Sequence, residues 1–154
     1  MRKLQVLSAL TFALACILPA AAQSGSVAFQ SGEWQVSSVV TTSTGQKVGS
    51  EQRVCANKSS DFWTQSRPNL QCDAPTVTPV ASGYRIQLAC HGSSGPVEWK
   101  MQSDITETFS NAGHAFTATG NTTTTTTIPG RGPITASASI QSKGTYQGAC
   151  GPAK

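Results

Sequence analysis

The chain has 154 residues, with 11 Lys and Arg against 7 Asp and Glu, a formal net charge of +4, and only 12% charged and 6% aromatic residues. The basic residues are scattered singly rather than clustered, which excludes a nucleic-acid or anionic-surface role built on a basic patch. Large apolar side chains are sparse while Ser, Thr and Gly abound, so the composition fits a single domain with a thin core.

Arg2 and Lys3 precede an apolar stretch, Leu4–Leu18, and small residues Ala20, Ala21 and Ala22 lead into a polar run from Gln23. Positive region, apolar core and small-residue exit are the parts of a secretory signal peptide, placed here at 1–22 with cleavage near Ala22. The stretch is short of the about 20 apolar residues of a stable membrane span. Cys16 offers an alternative, a lipoprotein anchored at that cysteine, but Ala13 stands where lipidation favours Leu and the apolar run continues past the Cys. Removing residues 1–22 leaves 132 residues and lowers the net charge to +2, since Arg2 and Lys3 leave with the leader. The expected organisation is a polar leader at 23–31, one β domain at 32–150 and a tail at 151–154.

Trp34, Val36 and Val40 alternate with polar neighbours in a first strand over 33–41, and a second spans 46–55 after the Thr44-Gly45 turn. Residues 57–69 are rich in turn formers, with one short helical turn near 58–66 that Asn57 would cap and Arg67-Pro68 would end. The turn carries Phe62 and Trp63, a pair suited either to plugging a barrel end or to an exposed contact. Strands over 72–80 and 84–90 flank a hairpin turn at Ala81-Ser82-Gly83, and His91–Pro96 reads as a loop. The clearest periodicity follows. Val97, Trp99, Met101, Ile105 and Phe109 are apolar and odd-numbered, while Glu98, Lys100, Gln102, Asp104, Thr106 and Thr108 are polar and even-numbered. Period two marks a half-buried strand, with Ser103 and Glu107 as polar exceptions on its inner face. Strands over 115–127 and 134–141 follow, and then a short piece over 145–150. Thr122–Thr127, six threonines in a row, reads as a soluble edge strand. The whole predicts an all-β protein, an antiparallel sandwich or up-and-down barrel of seven to eight strands.

Four cysteines remain beyond the leader: Cys55, Cys72, Cys90 and Cys150. An even number in an exported chain reads as two disulfides, and no two lie close enough for a metal-ligand pair. Cys55 ends one predicted strand and Cys72 starts the next, which favours Cys55–Cys72 with Cys90–Cys150 by exclusion. The second option is Cys72–Cys90 across the hairpin.

Catalytic constellations are scarce. The two histidines, His91 and His114, lie beside turns, with no nucleophile elbow and no paired-histidine metal motif. Glu107 is the notable carboxylate, because an inner-face acid would have a raised pKa. No catalytic, metal or cofactor residue set emerges.

Gln30-Ser31-Gly32-Glu33-Trp34-Gln35-Val36, Arg53-Val54-Cys55, Gln71-Cys72, Cys90-His91-Gly92 and Tyr146-Gln147-Gly148-Ala149-Cys150, in that order, resemble the domain of unknown function 3617 family of small exported bacterial proteins. Ser31 stands where that family has proline. The resemblance spans nearly all of the chain beyond the leader. It implies a periplasmic or secreted β domain with paired cysteines, and brings no activity. The reading is therefore a non-enzymatic exported module binding a small apolar ligand or an envelope protein, with Trp34, Trp99, Met101, Glu107 and Phe109 as candidate lining residues. An envelope hydrolase centred on the His91 loop or Glu107, and a structural or adhesive surface protein, are the alternatives.

Overall fold

The computed structural model describes residues 29–64 and 69–151. The expected signal peptide, Cys16 and the first residues of the expected polar leader lie outside the described residues, as do Arg67-Pro68, expected to end the helical turn, and the last three of the tail. No helix among the described residues is long and apolar enough to cross a membrane.

Eight strands follow in chain order: β1 Gly32–Thr42, β2 Lys47–Ala56, β3 Leu70–Cys72, β4 Thr76–Val80, β5 Gly83–Ser94, β6 Val97–Ser110, β7 Ala115–Thr127 and β8 Ile134–Gly148. All pairings are antiparallel. They form one sheet in the order β2-β1-β8-β7-β6-β5-β3, with β4 also paired to β5. The sheet curls into a half barrel. The predicted all-β antiparallel class holds, with β5 to β8 running up and down. β8 then inserts beside β1, pairing from Thr42↔Ala138 to Glu33↔Gly148, so the two ends of the domain meet in one ladder.

Register assigns every side chain to one face. Trp34, Val54, Ile86, Ile105, Phe109, Phe116 and Ala118 are buried and share the concave face. Cross-strand rows run over it: Val36, Gly144, Phe116 and Phe109; then Ser38, Ser142, Ala118, Glu107 and Tyr84; then Val40, Ile140, Gly120, Ile105 and Ile86. At one end of the half barrel the concavity is filled by rings. Trp34 stacks on Phe29 with centroids 5.7 Å apart, and Phe62 stacks on Phe116 at 4.8 Å. Gly144 makes this possible, because the Phe116 ring lies where its Cβ would be. Burial of these aromatics contributes to the fold's stability.

The helical turn predicted near 58–66 is a single 3-10 turn, Ser59–Phe62. Asp61, not Asn57, secures it: the Asp61 carboxylate accepts the backbone N–H groups of Asn57 at 2.9 Å and Lys58 at 3.1 Å. The turn drives Phe62 into the aromatic cluster, so of the two roles open to this residue, the plug is realised.

Three expectations are corrected. The disulfides are Cys55–Cys150 and Cys72–Cys90, not Cys55–Cys72 and Cys90–Cys150. Cys72 lies directly opposite Cys90 in the β3–β5 ladder, and Glu33 has Cys55 on one side and Gly148 on the other, which brings Cys150 to Cys55 across the start of β1. Thr122–Thr127 is no edge: β7 is paired along both sides, by β6 and by β8. Finally, 72–80 divides into β3 and β4, whereas 134–148 is one continuous strand. Two disulfides belong to an oxidising compartment outside the cytosol.

Candidate functional site

Beyond the aromatic end, the concave face opens into a cleft of about 550 Å³. One wall, from β3, β5 and β6, is apolar: Leu70, Leu88, Trp99, Met101 and Ile105. The other, from β1 and β2, is polar but uncharged: Ser38, Ser50 and Gln52. Phe62, Trp63 and Ile140 line it as well, and Ser103 and Thr122 bring hydroxyls into it. Ser103 donates to Thr122 Oγ1 at 3.0 Å, Thr122 donates to the Gln102 carbonyl at 3.3 Å, and the Ser38 and Ser142 hydroxyls bond each other at 2.8 Å. Trp99 reaches across β5 because Gly92 opposite it has no side chain; a Cβ there would meet the indole ring.

Glu107 lies one row from Ile105 toward the aromatic end, fully buried at 0% exposure. Trp63 Nε1 donates to its Oε1 at 2.5 Å, while Oε2 has no hydrogen-bond partner. Burial pushes the carboxyl up from 4.5 to about 7, against the opposing hydrogen bonds from Trp63 and Ser59. Trp63 thus belongs to two environments at once: it walls the cleft, and its N–H is held by a carboxyl behind it.

Of the five residues expected to line a ligand space, Trp99 and Met101 do so. Trp34, Phe109 and Glu107 do not, because they are buried within the packed end. The half barrel is solid there, and the free volume lies farther along the strands. Leu70, Leu88, Ile140, Trp63 and Ser38 also line the cleft and were outside the expected lining set. For the four on strands the signal is parity, which identifies a shared face only once strand register is known; Trp63 follows the 3-10 turn. Leu70 sits in a three-residue strand that carries no period of its own.

His91 and Glu107 are not brought together. His91 pairs with Lys100 on the convex face, whereas Glu107 is on the concave one. The His91 ring lies 3.2 Å from Gln71 Oε1, in a shallow hollow shared with Ser93, Glu98 and Lys100. His91–Pro96 is less of a loop than expected, since β5 extends to Ser94 and the reversal occupies Gly95-Pro96. His114 Nδ1 lies 3.0 Å from the Asn111 carbonyl, and its ring meets Tyr146 edge-on. Among the described residues, no three or more His, Cys, Asp or Glu side chains converge as a metal site would require. Comparison with protein-family models, with curated proteins and with solved structures finds no match to this chain.

Proposed function

We propose that this is an exported, non-enzymatic binding module that holds a small ligand in the concave cleft. The cleft carries the reading: its volume of about 550 Å³ falls within the roughly 300–1,000 Å³ of small-molecule sites. Its make-up also fits, with mostly apolar walls and a few polar groups, three on β1 and β2 and the mutually bonded Ser103 and Thr122 on β6 and β7. The leader-like 1–22 segment, the two disulfides and the resemblance to the domain of unknown function 3617 family support a periplasmic or secreted location.

The test is mass spectrometry of the protein isolated from its native envelope, under native and then denaturing conditions, beside titration of the delipidated protein with a polarity-sensitive fluorophore. Binding predicts extra native mass that disappears on denaturation, together with fluorophore uptake lost in Trp99→Ala. A bare native mass with no fluorophore uptake would sink the proposal. The denatured mass also reports the leader: a start at Gln23 marks soluble export, and a start at Cys16 with added lipid marks an anchored form.

A further inference from the structure

We infer that the cleft selects an uncharged amphiphile: a molecule with one hydrocarbon portion and a hydroxyl, ester or amide head, rather than a carboxylate, phosphate or ammonium head. This rests on the binding-module reading and names its ligand class.

The first observation is the separation of charge between the two faces. Every charged strand residue from Glu33 to Lys143, Glu107 excepted, occupies a convex-facing position in the register. Among the described residues, none lining the cleft carries a charge. An ionic head inside would lose its hydration and meet no counter-charge among these lining residues, which opposes its burial. An anion fares worst, because Glu107 lies one row from Ile105, in the row of Ser38, and becomes a second negative charge when ionised.

The second observation is the unequal walls. A plain hydrocarbon would cover the β3–β5–β6 wall well. It would also cover Ser50 and Gln52 and give them no partner in exchange for water, a penalty for each group left unsatisfied, while the Ser38 hydroxyl keeps its bond to Ser142. A hydroxyl or amide head satisfies them in either direction, since hydroxyls and the Gln52 amide both donate and accept. The ligand therefore lies across the groove, with its chain on Leu70, Leu88, Trp99 and Met101 and its head toward Ser38, Ser50 and Gln52.

The experiment measures displacement of the bound fluorophore from the delipidated full chain by probes of one chain length. The probes are dodecanol, dodecanamide, dodecanoate and dodecyltrimethylammonium, each below its aggregation threshold at pH 8. Dodecanol and dodecanamide are expected to bind at least tenfold more tightly than either ion. In Ser38→Ala/Gln52→Leu the affinity for dodecanol is expected to fall severalfold while fluorophore uptake, the check on folding, persists. Equal affinity for all four probes, or tighter binding of an ion, would overturn the ligand class while leaving the binding module standing. Failure of every probe and of the fluorophore would overturn the module itself.

Discussion

Replacing Glu107 by Gln tests the link between buried charge and stability in this fold. Glu107 is fully enclosed, and its carboxyl is held at about 7 in the folded chain against 4.5 when unperturbed. The neutral form is therefore the one the fold prefers. Between pH 4.5 and 7 the folded state keeps a proton that the unfolded state has released, so stability falls as pH rises through this window and levels off above it. The displacement corresponds to about 3 kcal/mol, all of it present below pH 4.5 and lost above pH 7. Gln keeps an acceptor for the Trp63 N–H and cannot ionise. Glu107→Gln is thus expected to match the wild type near pH 4.5 and exceed it by about 3 kcal/mol at pH 8. For a chain of this size that is about 10 °C in Tm. Calorimetric melts of both proteins from pH 4 to 8.5 give the answer, because charges common to both cancel in the difference. Parallel Tm profiles would refute the argument by showing that Glu107 is hydrated or paired in solution.

Trp63→Phe removes the hydrogen bond that holds the Glu107 pKa down, so the stability loss of that variant is expected to extend to higher pH than in the wild type, read from the same melts. Loss of Cys55–Cys150, which closes a sequence separation of 95, is expected to cost about 4.7 kcal/mol, against about 3.2 for Cys72–Cys90 with its separation of 18. Denaturant unfolding of the two double-Ser variants gives the order, and the reverse order would refute the loop argument. Gly144→Ala places a methyl into the Phe116 ring and is expected to destabilise by about 1–3 kcal/mol, measured by urea unfolding.

Local patterns were legible where a strand has chemically different faces. β6 shows this best: its alternation identified the strand and marked Glu107 as an inner-face carboxylate. The same rule fails on β7, where Thr122–Thr127 gives both faces the same side chain. Its central position depends on β8 returning to lie beside it. In β8, the expected strand over 134–141 and piece over 145–150 are joined through Ser142 and Gly144, which continue the concave face as small residues; Gly144 leaves room for the Phe116 ring of β7. The division between β3 and β4 falls at Asp73-Ala74-Pro75, a turn-forming pair of residues around Ala74 that the reading of one strand over 72–80 passed over. Of the disulfides, Cys72–Cys90 was legible as the second option across a local hairpin, whereas Cys55–Cys150 depends on β8 returning beside β1 across a separation of 95. Three of the five candidate lining residues lie in the packed end, because alternation reports which face a side chain takes, not whether that stretch of the face is filled.

The two disulfides gain a further meaning from the sheet order. A closed barrel has no edge strands, but this half barrel ends at β2 on one side and at β3 and β4 on the other. Cys55 is on β2 and Cys72 is on β3, so each crosslink holds an edge of the sheet. β3 is three residues long and has few ladder bonds to secure it. β2 is longer, but most of its side chains are exposed and only Val54 and Ala56 reach the core. The two crosslinks lie at different ends of the concavity. Cys55–Cys150 fastens β2 at the aromatic end, between the core residues Val54 and Ala56. Cys72–Cys90 fastens β3 beside Met101, where the cleft leaves the concave face unfilled and side-chain packing gives the short strand little support. A half barrel held in this way at both edges can keep part of its concave face open without filling it with side chains.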